Sequence, residues 1–449
     1  MREPTASAAW PASSSAQVAY VLKAYPRSSE PFILSEIHRL EARGLPVRLF
    51  ALKPAEPDDR EPRHAVVDRI RAVPEFLIAA GSVSGVWLPA WLAAHLPRFS
   101  GALLRVARRH PRGLARSLVL LVDELRASRR PPRSRMKRAW VREWLQAVDL
   151  ADRLGGTPAV RHLHAHFAHG ATSVAWLASA ITGVSFSFTG HAKDLYAEDS
   201  NPGGALARKL AAAAFAVTCT DANRRLLDGL GTATPVHLVY HGLNDDFSRL
   251  LRDQAPPAPE PRAFRVLAVG RLVRKKGFDV LVEAAARLHR RGVALDVVIA
   301  GSRGDAAAAI EAQIRQAGLG GVVRLAGPQD QRTLFEWYHG AHVFCLPCRV
   351  LDDGDRDGIP NVLMEAMACG TPVVTTGVSG IPEMVRHEGN GLLVPPDDPA
   401  ALADALDRAR TDDRLMAALS AAARTTAAEQ FDGDRLAGRM VRLFAEAVA

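Results

Sequence analysis

Leu351–Val374 reads LDDGDRDGIPNVLMEAMACGTPVV, an order of residue types that spells a loop, a helix start and a strand. Pro360 suits the first helical turn, where a missing N–H costs nothing, and Gly370 suits the helix end. Val362, Leu363, Ala366 and Met367 supply an apolar face, so Glu365 stands at the edge of that stripe. Asp357 and Glu365 lie eight residues apart, one just before the helix and one inside it. A helix N-terminus draws phosphate to its free N–H groups. Carboxylates beside it accept hydrogen bonds from sugar hydroxyls. The stretch therefore points to a nucleotide-sugar site.

Outward from it, the second half of the chain alternates strands and helices: Arg265–Val269, then a helix over Gly277–Arg291, then strands over Leu295–Ala300, Val322–Leu325 and Val343–Leu346. The quoted loop thus follows a strand, the end at which open α/β sheets bind ligands. The first half opens on the same pattern, with a strand over Gln17–Leu22, a helix over Pro31–Arg43 ended by Gly44, and a strand over Val47–Leu52. Strands at Val160–His164, Val184–Phe188, Phe215–Thr220 and Val236–Tyr240 continue it. The proline-rich run Gln254–Pro261 reads as the hinge. The fold class is α/β, with two doubly wound, Rossmann-like domains expected to face each other across a cleft.

A chain of 449 residues is too long for one ordinary core. The domains expected are a disordered tail over 1–16, an N-terminal domain over 17–253, a linker over 254–262, a C-terminal domain over 263–430, and a helix over 431–449 for which a return to the N-terminal domain is one course. The net charge of +9 favours an anionic partner, while 6% aromatic residues weigh against base stacking and hence against nucleic acid. Much of that charge sits in a helical insertion over 75–155, where tryptophans Trp87 and Trp91 precede arginines 98, 105, 108, 109, 112 and 116, with further basic residues from Arg129 to Arg138. Docking on an anionic membrane surface and plain solvated helix faces both account for it. The start of the chain shows no secretory signal and no run approaches the length of a membrane span, so a cytoplasmic protein is expected, either soluble or peripheral at the inner membrane face.

The strand ending at Val269 leads into Gly270-Arg271-Leu272-Val273-Arg274-Lys275-Lys276-Gly277. Arg271 and Lys276 are cations fit for a pyrophosphate, and Gly270 and Gly277 would let backbone approach a ligand. Histidines 164, 166 and 169 invite a metal reading, but no carboxylate partner is evident in the sequence around them. Asp353, Asp355 and Asp357 alternate as in a metal-binding motif, but a solvated loop is the favoured reading, because Arg271 and Lys276 already supply the positive charge a divalent ion would give. Cys345 and Cys348 have paired spacing without a second pair and read as structural. Glu30 suits either an acceptor contact or a helix N-cap.

The acid pair and the Gly-Arg…Lys-Gly loop resemble those of the family-4 retaining glycosyltransferases of GT-B fold, whose signature has two glutamates at this spacing. Here the first is aspartate. YPRSSEPFILSEI, HLHAHFAHG and FSFTGHAKDLY are similar to bacterial exopolysaccharide glycosyltransferases of the colanic-acid type. The resemblance implies that Glu365 holds the nucleotide ribose and that Asp357 faces the donor sugar. By the same resemblance, backbone N–H groups from Gly358 through Ile359, Asn361 and Val362, around Pro360, meet sugar and phosphate. It makes Arg271 and Lys276, beside Gly270, the diphosphate cations, and His191 the cleft histidine near the reacting sugar; apart from the resemblance, His166 and Glu30 are candidates on the acceptor side. Lys193 and Asp194 suit fixing of the His191 loop instead. The expected chemistry is transfer from a nucleoside-diphosphate sugar to a saccharide or lipid-linked saccharide, with no metal and no cofactor. A sugar-nucleotide epimerase on the same fold and a non-catalytic binding protein are the competing readings.

Overall fold

Short apolar runs rich in β-branched residues become thirteen strands among the described residues, which are 9–11, 14–27, 30–55, 65–81, 83, 86–128, 135–252 and 263–449 of this computed structural model. The first sheet contains β1 (Gln17–Leu22), β2 (Val47–Ala51), β3 (Pro74–Phe76), β4 (Val160–His166), β5 (Ser185–Gly190), β6 (Phe215–Thr218) and β7 (Val236–Leu238). Their spatial order is β3-β2-β1-β4-β5-β6-β7, and every pairing is parallel. The second contains β8 (Phe264–Val269), β9 (Leu295–Ala300), β10 (Val323–Gly327), β11 (Val343–Leu346), β12 (Val373–Thr376) and β13 (Leu392–Val394), in the order β10-β9-β8-β11-β12-β13 and again parallel. In each sheet the chain starts mid-sheet, winds outward, and returns to the other side of its first strand. The winding reverses between β1 and β4, and between β8 and β11, and such switch points are where doubly wound sheets open a crevice.

The chain divides into two compact units, one of Met1–Glu56, Val67–Val239 and Asp434–Ala449, the other of Pro57–Val66 and Tyr240–Gly433. The division falls at Val239, before the helix Asp245–Arg252, rather than at the proline-rich run, which lies outside the described residues. Leu243 and Phe247 explain the earlier boundary, since both join the core of the second unit. The last helix, Gly433–Val448, belongs to the first unit from Asp434 onward. Its Phe444 is fully buried against Tyr20, His162, His164 and Phe215.

In the first unit, α1 (Pro31–Ala42) follows β1, and α2 (Leu88–Arg109), α3 (Pro111–Ala127) and α4 (Arg135–Leu154) form the insertion ahead of β4. The insertion begins later than expected, because Pro74–Phe76 is an edge strand, too short for its period to show in the sequence. The helix α5 (Ala171–Thr182) is buried along nearly its whole length, as its alanine-rich, apolar sequence requires. The expected disordered tail needs correction at Trp10, which is 6% exposed and donates its backbone N–H to Arg43 O at 2.9 Å. Residues 1–8 and 12–13 of that tail lie outside the described residues, as do Arg129, Arg130 and Arg133 of the insertion.

Candidate functional site

In the second unit the two loops at the switch point are held together by a glycine. Gly277, at φ 69°, sits so close to the exit of β11 that a Cβ there would lie 1.9 Å from the Pro347 carbonyl oxygen. The expectation that Gly277 makes room for a ligand is therefore corrected: it makes room for the chain's own backbone. Gly270 is similar, since a Cβ there would crowd the Lys276 stem at 3.2 Å. Arg349 N–H donates to Lys275 O at 2.9 Å and completes the clamp.

That approach sets Lys275 and Lys276 against the acidic loop. Lys276 Nζ lies 2.7 Å from Asp357 Oδ2, while Lys275 Nζ lies 3.2 Å from Asp357 Oδ1 and 3.1 Å from Asp355 Oδ1. Burial works against the Asp357 charge, but Lys276 and Lys275 overcome it and hold the carboxyl down at about 2. Lys276 is likewise opposed by burial, and the Asp357 carboxylate keeps its pKa above the ordinary lysine value. Arg271, on the same loop, is exposed. The solvated-loop reading of the aspartates is thus corrected for Asp355 and Asp357, whose side chains are 18% exposed and paired. Cys345 and Cys348 are fully buried, and the Cys348 thiol, 3.8 Å from Asp357, is pushed up to about 12 by burial, which suits a packed structural thiol.

The helix Asn361–Cys369 begins where the acidic loop ends, with Pro360 as its cap rather than as its first helical residue, and Gly370 closes it at φ 77°. Glu365 is 4% exposed. Its Oε1 accepts from Asn244 Nδ2 at 3.0 Å and its Oε2 from the Tyr338 hydroxyl at 3.0 Å. Burial pushes the carboxyl up to about 7, with the Tyr338 and Asn244 hydrogen bonds pulling the other way. Each oxygen retains a second lone pair for an outside donor. Lys275, Asn244 and Tyr338 were all missed by sequence reasoning. Only Lys275 had a visible signal, its place beside Lys276.

The first unit carries a different constellation at its own switch point. His162, His164 and His166 share one face of β4, opposite Ser185, Ser187 and Thr189 of β5. His162 bonds Ser185 Oγ at 2.8 Å and Ser187 Oγ at 2.7 Å, and His164 bonds Ser187 Oγ at 2.8 Å and Thr189 Oγ1 at 3.0 Å. Burial holds His162 down at about 3 and His164 well below the ordinary value, so both rings are neutral. At the strand end, His166 Nε2 meets Glu36 Oε1 at 3.1 Å, and the Tyr20 hydroxyl donates to the same oxygen at 2.7 Å. His166 Nδ1 in turn lies 3.3 Å from His191 Nε2, within hydrogen-bond reach.

His191 is 7% exposed, between the rings of Phe32 and Phe167. Its Nε2 is turned inward. Asp194, as the alternative reading had it, fixes this loop by accepting from His191 N at 3.0 Å and from Ala168 N, and burial pushes its carboxyl up to about 7. Phe167, at φ 71°, holds a backbone conformation rare for a bulky residue, secured by Thr172 Oγ1 donating to its carbonyl at 2.6 Å. Glu30 occupies the α1 N-cap position, but its side chain makes no cap bond and pairs with Arg27 instead. Ser28 and Ser29 lie outside the described residues.

Glu36 is the carboxylate partner of His166 that the sequence concealed, and Glu36, His164 and His166 place ligand atoms within 4.8 Å of one another. Each of these atoms already has a hydrogen-bond partner, so the group is saturated by the protein itself.

Residues 252–426 match the family described as glycosyl transferases group 1. That segment is a group 1 glycosyltransferase domain. It contains β8 to β13, both lysines, the acidic loop and Glu365. Among curated relatives of the chain, the amylovoran biosynthesis glycosyltransferase AmsK of Erwinia amylovora is 38% identical over 168 residues, covering 37% of this chain and 41% of the relative. The putative colanic acid biosynthesis glycosyltransferase WcaL of Escherichia coli K12 is 40% identical over 153 residues, 34% of this chain and 36% of the relative. These alignments thus span about two fifths of the relatives they match. Solved structures extend the likeness beyond the group 1 domain. Sucrose-phosphate synthase of Thermosynechococcus elongatus superposes with a TM-score of 0.66 at 20% identity, covering 96% of this chain and 98% of that one. Anabaena HepE in complex with UDP-glucose does so with 0.65 at 14%, covering 96% and 99%. The fold is that of the GT-B glycosyltransferases, with a Rossmann-like sheet in each half.

Proposed function

We propose that the protein is a retaining glycosyltransferase that moves a sugar from a nucleoside diphosphate to a saccharide or lipid-linked saccharide, in the manner of exopolysaccharide assembly. The observation that carries the reading is the pairing of Lys276 and Lys275 with Asp357 at the switch point of a group 1 domain. An incoming diphosphate is the anion that would share those lysines with Asp357, at the N-terminal end of the helix that bears Glu365. The AmsK and WcaL names support an exopolysaccharide acceptor, and the HepE complex supports a nucleotide-sugar donor.

In this reading the acceptor hydroxyl attacks the anomeric carbon on the face from which the diphosphate leaves. The bond from that carbon to the phosphate oxygen breaks, and a phosphate oxygen of the departing diphosphate takes the hydroxyl proton. Arg271 and Lys276 carry the charge that grows on the leaving group, which is the largest service a protein can give such a step. The two cations supply it without a metal. Glu365 accepts from the ribose, Asp357 faces the sugar from its lysine pair, and His191 orients the reacting sugar from a ring fixed by His166. The enzyme is cytoplasmic in this reading and works at the inner membrane face.

The test is donor hydrolysis and transfer across UDP-, GDP- and dTDP-sugars, with Arg271→Ala and Lys276→Ala. Each variant should lower turnover by about 100-fold or more, as loss of a charge-stabilising group does. Undiminished turnover in both would remove the diphosphate assignment.

A further inference from the structure

The insertion carries a surface that the chemistry of transfer does not use. Of the large apolar side chains that stand exposed among the described residues, most lie on α2, α3 or the residue before α2: Trp87 (72% exposed), Leu96, Leu104 (53%), Leu118, Val119 (61%) and Val122. Both helices spend their other faces on packing. Trp91, Phe99, Ala102 and Val106 bury one side of α2, and Gly113, Ser117, Leu121 and Glu124 bury one side of α3. Among the described residues these apolar side chains stand exposed on the outward faces, a surface that a soluble protein keeps for an interaction when it is gathered in one place.

The charges on these faces are of two sorts. Arg105 and Arg109 are spoken for, since Asp152 lies 2.6 Å from the first and 3.3 Å from the second. Arg208 takes Glu124, which removes the buried acid of α3 from the surface account. Arg108, Arg112 and Arg116 are exposed, and on α3 the spacing of Arg112, Arg116 and Val119 sets cations in line with the apolar residues. Asp123, paired with Arg126, is the acid exposed beside them. Among the described residues no helix is long and apolar enough to cross a membrane.

We propose that the outer face of α2 and α3 docks on an anionic lipid surface. Val119, Val122, Leu118 and Leu104 enter the boundary between headgroups and acyl chains, Trp87 sits at headgroup level, and Arg108, Arg112 and Arg116 meet the lipid phosphates. Charge complementarity selects this occupant over a second copy of the chain, whose same face would bring arginines against arginines. The inference deepens the proposed function, for which it would supply the site of work on lipid-linked acceptors. Its evidence is separate, because it needs neither donor nor acceptor.

The experiment is flotation of the full chain with vesicles of phosphatidylcholine alone and of phosphatidylcholine mixed with phosphatidylglycerol. Binding should require the anionic lipid and weaken with salt. The double variant Arg112→Gln, Arg116→Gln should bind about 25-fold more weakly, about fivefold per charge. Val119→Ser with Val122→Ser should also weaken it, whereas Arg105→Gln, whose cation is already held by Asp152, should not. Equal binding to neutral vesicles would overturn the proposal. So would an effect of Arg105→Gln matching that of the Arg112, Arg116 pair, or a dimer in sedimentation that Val119→Ser dissolves while vesicles are ignored. Any of these outcomes leaves glycosyl transfer, measured on a soluble acceptor, standing or falling by itself.

Discussion

Glu365 is a carboxyl whose charge the protein resists. Its folded value of about 7 lies above the ordinary glutamate value, so its contribution to stability is whole below the unfolded pKa and is lost as pH rises through about 7. The shift corresponds to about 3–4 kcal/mol. Replacing it by Gln should therefore stabilise the second unit in alkaline buffer and leave acid stability nearly unchanged, as thermal melts across pH would record. Binding should go the other way. Ribose hydroxyls favour the ionised form, so wild-type affinity for a nucleotide sugar, whose diphosphate does not titrate in this range, should rise about tenfold from about pH 6 to about pH 8. Glu365→Gln should flatten that profile, and calorimetry showing the same rise in the variant would remove the ribose role. Asp357 is the contrasting residue. Shorter than the glutamate of the resembled signature, it still reaches both lysines, so the shorter acid gives up neither charge contact.

Among the elements, the loop Gly270–Gly277 depends on the exit of β11, and Gly277 is where they touch. Gly277→Ala adds a methyl against the Pro347 carbonyl in a left-handed backbone conformation. It should cost about 2–4 kcal/mol in urea unfolding and, by moving Lys275 and Lys276 off Asp357, weaken nucleotide binding as well. A variant with full stability and full binding would mean that the loops are not coupled through this contact. Most strands and the Asn361 helix were legible in the sequence, because apolar run length and cap residues are local signals. The lysine and acid partners were less so. Lys275 and Asp355 are 80 residues apart, Asn244 and Glu365 121, and His166 and Glu36 130, separations at which no periodicity speaks. The edge strand β3 failed for a different reason, three residues being too few to alternate. His-x-His-x-His on β4 facing Ser-x-Ser-x-Thr on β5 was readable in principle, since alternate residues share a face. The sequence instead drew attention to histidines 164, 166 and 169, for which a metal was disfavoured and an acceptor-side place given to His166, and the ladder formed with His162 went unread.

At the scale of the whole molecule, the first unit is completed from the far end of the chain. Phe444 covers Tyr20, His162, His164 and Phe215 with no exposure of its own. Phe444→Ala should cost about 3–5 kcal/mol and unfold the first unit at lower urea than the second, read by tryptophan fluorescence and by far-ultraviolet dichroism. A single unshifted transition would show that the helix Gly433–Val448 adds little. The boundary at Val239 belongs to tertiary packing and could not be seen in the composition of a proline-rich run, whereas a return of the last helix was one course that the sequence left open.

This arrangement makes the second unit, in its Tyr240–Gly433 part, an interruption of the first, and the interruption has a consequence during synthesis. A chain emerging from the ribosome exposes β1 and β4 to β7 long before Phe444 exists to cover them. The group 1 domain, by contrast, is complete as soon as Gly433 has left the tunnel. The later-made unit should therefore be the first to finish folding, against the usual N-terminal precedence. Until then, the nascent first unit presents a face of histidines, a tyrosine and a phenylalanine to whatever chaperone attends it.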